Sequence, residues 1–181
     1  MKSFENRVRL AAGCLACAAL PAFAQVHATT DRLSDALAVV VPLGAAALAF
    51  YEHDTPGLKE LGYSIALAQG TTEVFKHVVN SERPDGTGKG FPSGHTSLVF
   101  ASSAYVHRRY GWEMAVPFYL LSTAVAYSRV HTNHHFSKDV VGGAAIGIGS
   151  GLLLTHPVGE HGTVALLPAH SGAELRYANA W

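Results

Sequence analysis

The sequence has two cysteines, Cys14 and Cys17, and both fall within its first 24 residues. Those residues read as a secretory signal. Lys2, Arg7 and Arg9 make a basic start, Leu10 to Leu20 a short apolar stretch, and Ala22-Phe23-Ala24 a small-x-small cleavage site, with Gln25 as the mature start. A chain trimmed of residues 1–24 has no cysteine. It therefore has no disulfide, no thiolate nucleophile and no cysteine-held metal. Net charge is missing as well. Trimming removes Lys2, Arg7, Arg9 and Glu5, leaving 10 basic and 12 acidic residues. A nucleic-acid binder needs a basic face, so the near-zero charge argues against that class, whereas it leaves a membrane partner open. Long hydrophobic runs are also scarce. The apolar stretches are about 15–19 residues long, where a spanning helix needs about 20 with a range of roughly 17–25. They fall between buried core helices and short membrane spans. There is no internal repeat and no cluster of carboxylates suited to divalent cations.

What the sequence does have is a series of apolar segments separated by polar loops. Residues 25–181 fit a single domain. Leu33 to Tyr51 is apolar apart from Ser34 and Asp35, with a helix kink expected at Pro42. Leu58 to Val79 suits an amphipathic helix. Asn80 to Gly94 is a loop by its Gly, Pro, Asn and Asp content. Thr96–Val106, Ala115–Val130 and Val140–Leu154 read as three further helices, the last with repeated Gly and Ala that permit close helix approach. The expected fold is all-α, a helical bundle, with one or two short strands in the tail around Leu175 and Tyr177.

Three polar clusters interrupt these helices. In "KHVVNSERP", Lys76 and Arg83 are seven residues apart, a spacing that returns to one helix face, and Pro84 should end that helix at Arg83. Two solvated surface cations are the plainer reading. In "FPSGHTS", Ser93 and Gly94 precede a helical stretch, so free backbone N–H groups would point above the helix start and suit an anion. Gly94 allows close backbone approach, and His95 would sit in the first turn; an ordinary serine N-cap is the alternative. In "SRVHTNHHFSKD", Arg129 could grip phosphate oxygens in a bidentate way. His135 and Asp139 have i, i+4 spacing; an aspartate bonded to imidazole Nδ1–H would leave Nε2 free to attack. His131 and His135 share the same spacing, which on a helix is also a metal-ligand spacing, although no His-Glu-x-x-His pattern occurs. Together, three cations, backbone donors and two histidines suit a tetrahedral oxyanion without a metal.

In that order, K-x6-R-P, PSGH and S-R-x5-H-x3-D resemble the tripartite signature of the type 2 phosphatidic acid phosphatase superfamily, which includes bacterial acid phosphatases and vanadium haloperoxidases. The likeness covers residues 76–139. It implies that His135 is the nucleophile and forms a phosphohistidine, that Asp139 orients it, and that His95 protonates the leaving oxygen and then activates water. Lys76, Arg83, Ser93, Gly94 and Arg129 would hold the phosphoryl oxygens. His131 and His134 match no position of the signature and are read as rim residues. No cofactor is implied.

The resemblance and the apolar helices together imply a phosphatase of the bacterial cell envelope, exported or membrane-associated, with its site facing the periplasm. Its substrate would be a phosphorylated lipid. The alternatives are a soluble periplasmic acid phosphatase acting on small phosphoesters, a vanadium haloperoxidase, and a non-catalytic phospholipid- or metal-binding protein. The loop from Asp85 to Phe91 is too short for a large lid, which suits the compact membrane members.

Overall fold

The structure, a computed structural model, describes residues 29–158, 161–169 and 172–180. The signal segment, 1–24, and Trp181 lie outside the described residues. Within them, five helices run up and down. They are α1 (Thr29–Tyr51), α2 (Thr55–Val79), α3 (Gly94–Tyr110), α4 (Trp112–His131) and α5 (Ser137–Leu154). The backbone then forms an antiparallel two-stranded ribbon, β1 (His161–Ala169) with β2 (Gly172–Ala180), in which His161 pairs with Ala180 and Ala169 with Gly172.

Local chemistry sets the helix ends. Asp54 caps α2 by accepting a hydrogen bond from the Gly57 N–H at 2.9 Å, with Pro56 in the first turn where its missing N–H costs nothing. Asn80 ends α2 in the left-handed region, at φ 42°. A single residue, Gly111 at φ 93°, turns the chain from α3 into α4. α1 is helical on both sides of Pro42, the position at which the sequence expects a kink. Ala38, Val41 and Ala45 are buried on either side and hold the helix, even though Pro42 has no N–H to donate.

The core is built from small residues. Ala38 and Val41 of α1 pack on Val99 of α3 and Val125 of α4. Ala45, Leu61, Tyr105, Val106 and Ala115 form a second cluster toward the other end. Gly147 of α5 has no room for a methyl group, since an added Cβ would lie 2.8 Å from the Ala101 nitrogen and against the Ser97 carbonyl. Such close approach leaves buried hydroxyls to join the helices. Ser103 bonds Ser122 at 2.8 Å, Thr72 donates to Ser97 at 2.9 Å, and Ser64 bonds Thr155 at 3.3 Å.

One end of the bundle is stapled by charge. Arg109, at the end of α3, donates from Nε and Nη2 to both oxygens of Asp54, each at 2.6 Å, and from Nη1 to the His156 carbonyl at 2.9 Å. This forked pair holds the Asp54 carboxyl down at about 2, the Arg109 hydrogen bond being the largest cause. The opposite end carries the start of α1, the end of α2, the start of α3, the end of α4 and the turn into α5. There the chain opens into a cavity.

Candidate active site

The cavity has a volume of ≈ 400 Å³, and Lys76, Arg83, Gly94, His95, Arg129 and His135 all reach it. Residues from three separate sequence clusters are thus gathered at one end of the bundle. Ser93 and Asp139 do not line it. Both are fully buried behind it, where the Ser93 N–H donates to the Asp139 carbonyl at 2.9 Å.

Two side chains arrive by a different route from the one their spacing suggested. α2 ends at Val79, so Arg83 is not on a helix. It reaches the cavity from the loop, its N–H bonded to the Thr87 carbonyl at 2.8 Å. The left-handed Asn80 stops the helix before Pro84 can. His135 likewise precedes α5. The His134 and His135 N–H groups both donate to the Arg129 carbonyl, at 3.1 and 3.0 Å, and this turn places His135 beside the cations. His131 ends α4, so the His131–His135 spacing builds no helical ligand pair. Among the described residues no three His, Cys, Asp or Glu side chains gather as a metal site.

Ser93 occupies the N-cap position of α3 without a side-chain cap. Its Oγ accepts from Thr96 Oγ1 at 3.0 Å instead. Gly94 faces Lys76, whose Nζ would lie 3.5 Å from an added Cβ. Lys76 is held at the rim by Glu73, at 2.7 Å.

The His135 and Asp139 pair is close but not closed. Nδ1 lies 3.5 Å from Asp139 Oδ2, which already accepts the Phe136 N–H at 3.0 Å. His135 Nδ1 and Asp139 Oδ1 are both buried without a hydrogen bond, as are the Nε atoms of Arg83 and Arg129. Buried donors left open in this way suit an anion that supplies the missing acceptors. Catalytic contacts of this kind commonly tighten only when substrate is bound. Burial, followed by the Arg83 charge, pulls the His135 imidazole down to about 4, so it is neutral at ordinary pH.

Three contributors escaped the sequence reading. Asp35 of α1 enters the cavity, with Oδ1 3.1 Å from Arg129 Nη1 and 3.3 Å from His95 Nε2. Asp31, one turn earlier, lies 3.5 Å from His134 Nδ1. Gln69 of α2 donates to the Gly94 carbonyl at 3.2 Å and so fixes the start of α3. The only local signal was a pair of acids at the head of an apolar helix.

Comparison with known proteins bears on this site. The sequence pattern of the PAP2 superfamily matches residues 57–162. A lipid A 1-phosphatase of Porphyromonas gingivalis is 37% identical over 89 residues, which is 46% of this chain and 20% of that protein. A lipid A 4'-phosphatase of Helicobacter pylori is 28% identical over 137 residues, 69% of each chain. The undecaprenyl-diphosphatase BcrC of Bacillus subtilis is 30% identical over 97 residues, 51% of this chain and 48% of that one. The chain thus spans between 20% and 69% of the length of these relatives. The crystal structure of Aquifex aeolicus LpxE shares the fold, with a TM-score of 0.62 at 21% identity, over 71% of this chain and 84% of that one.

Proposed function

The chain belongs to the PAP2 superfamily, and we propose that it is a metal-independent phosphatase of the bacterial cell envelope that cleaves lipid-linked phosphomonoesters or diphosphates. One observation carries this reading. A neutral, buried histidine, His135, shares a cavity with Lys76 and with two arginines whose buried Nε donors lack acceptors. That arrangement fits a tetrahedral, multiply charged oxyanion beside a nucleophile. The named activities of the bacterial relatives, on lipid A and on undecaprenyl diphosphate, support a lipid substrate. So does α1, with a mean hydropathy of 2.0 and only 28% of its apolar window buried.

The reaction follows from the side chains. The phosphoryl group sits between Arg83, Arg129 and Lys76, which neutralise its oxygens. His135 Nε2 attacks phosphorus while Asp139 steadies the Nδ1–H. The P–N bond forms as the P–O bond to the lipid breaks, and His95 donates its proton to the departing oxygen. Water then attacks the phosphohistidine, His95 takes up the proton, and inorganic phosphate leaves with His135 restored.

The test is phosphate release from phosphatidic acid, lipid A and undecaprenyl diphosphate in detergent micelles containing EDTA. Wild type should turn over at least one of them. His135→Ala should lose that activity by a factor of about 10⁴ or more. Wild type quenched in alkaline detergent should carry acid-labile, base-stable phosphate that His135→Ala lacks. Turnover of small soluble phosphoesters alone would replace the lipid reading with that of a periplasmic acid phosphatase.

A further inference from the structure

The carboxylate of Asp35 lies where a phosphatase would be expected to admit none. It enters a cavity whose other charged groups are the cations Lys76, Arg83 and Arg129, together with two histidines. α1 fixes its direction, because Ser34, Ala38 and Val41 are buried on the same helix and leave Asp35 facing the cavity mouth. A single oxygen, Oδ1, makes both contacts, 3.1 Å to Arg129 Nη1 and 3.3 Å to His95 Nε2. Asp31 is not equivalent. It lies 4.0 Å from Arg129 and faces His134.

Resting on the phosphatase reading of this cavity, we propose that Asp35 is a positioning residue of the reaction: it holds the His95 ring through Nε2 and the Arg129 guanidinium through Nη1, so that the ring presents Nδ1 to the leaving oxygen. The surroundings give this contact a purpose. A general acid must carry a proton, yet burial, Arg129, Lys76 and His134 all push the His95 imidazole toward its neutral form, and Asp35 acts against them. Those groups come from every side of the ring: Arg129 from α4, Lys76 from α2, His134 from the turn before α5, and Asp35 from α1. Arg83 and His135 complete the cavity wall. Without Asp35, the only charged side chains lining the cavity beside the two histidines would be the cations Lys76, Arg83 and Arg129. The proton cycle balances. Nδ1–H passes its proton to the leaving oxygen, Nδ1 regains one from the attacking water, and the Nε2 proton stays on the ring, facing Asp35, throughout.

A competing view makes opposite predictions. If Asp35 merely competes with phosphate for these cations, its removal should tighten substrate binding and leave kcat intact. The deciding experiment measures kcat, KM and their pH dependence for wild type, Asp35→Asn, Asp35→Glu and Asp31→Asn. Asp35→Asn should lower kcat by about tenfold or more, part of a general acid's contribution. Its alkaline limb should move to lower pH by about one unit or more, the effect of deleting an opposite charge at this range. Asp35→Glu should restore part of both, and Asp31→Asn should leave the limb in place. A lowered KM with unchanged kcat and limb overturns the proposal. An NMR titration of the His95 ring in wild type and Asp35→Asn tests the same contact without turnover. The His95 midpoint must fall in the variant. Failure of the phosphatase reading itself would show separately, as an inert wild type.

Discussion

His135 and His95 share one cavity, and the proposed reaction requires them to hold opposite protonation states. His135 attacks only when neutral, and burial keeps it so down to about pH 4. His95 must be protonated to act as acid, and burial pushes its pKa below the ordinary 6.5. Activity is therefore lost on the acid side as His135 gains a proton. It is lost on the alkaline side as His95 gives one up. The pH profile of kcat/KM is expected to be a bell with its maximum between about 4 and 6.5. Bound phosphate adds negative charge beside His95, which favours imidazolium. The alkaline limb of kcat should then lie at higher pH than that of kcat/KM. A flat profile, or an optimum on the alkaline side, would contradict these roles. At this scale the sequence was informative where a residue type has few uses. A histidine beside Pro-Ser-Gly and an arginine beside a histidine cluster pointed to one anion. Asp35 could not be read in the same way. Its partner Arg129 is 94 residues away, and nothing in a local pattern encodes such a contact.

Helices supply the precision the cavity needs, and α5 against α3 is the decisive pair. α3 carries His95 in its first turn, and α5 carries Asp139 in its own. The close seat of Gly147 on Ser97 and Ala101 sets the distance between the two. Gly147→Ala should force these helices apart, cost about 1–3 kcal/mol of stability as an overpacked site does, and reduce kcat with it. Gly149 tests the explanation on the same helix. An added Cβ there meets nothing within 4 Å, so Gly149→Ala should be neutral or stabilising by up to about 1 kcal/mol. Thermal melting and turnover of the two variants should therefore diverge. If they behave alike, the close approach does not hold the site. Helix existence was plain from apolar runs, but helix ends were less so. The seven-residue spacing of Lys76 and Arg83 imitates two helical turns, while the chain leaves the helix at Asn80. The i, i+4 spacing of His135 and Asp139 likewise spans a turn and a helix start rather than one helix. In both cases the correct neighbours were inferred from the wrong local geometry, because a loop can bring side chains together as well as a helix can.

For the whole molecule, the polar and apolar surfaces are divided by position. Charge is concentrated at the two ends, in the cavity and in the Asp54–Arg109 staple. The flanks of α1 expose Leu33, Val39, Val40 and Leu43. A 23-residue helix is about 35 Å long, enough to cross a hydrocarbon layer of about 30 Å. Among the described residues α1 is the one helix both long and apolar enough to do so. From the sequence alone, the 19-residue stretch Leu33 to Tyr51 stood between a core helix and a span. The low burial of α1 favours the span, since a core helix would hide the face that α1 displays. Leu43 is 62% exposed and near the middle of α1. In water, Leu43→Arg would alter only a solvated surface and leave the fold and the membrane fraction unchanged. In a bilayer, the same charge at mid-depth costs roughly 2.5–3.5 kcal/mol, enough to expel or misplace the helix. The expected result is loss of Leu43→Arg from carbonate-washed membranes, together with loss of activity, since α1 also carries Asp35 to the cavity. Glu52→Arg, just past the end of α1 where a charge already stands, should stay membrane-bound and active. Equal retention of both variants would place α1 in water and leave the cavity without a lipid surface to draw on.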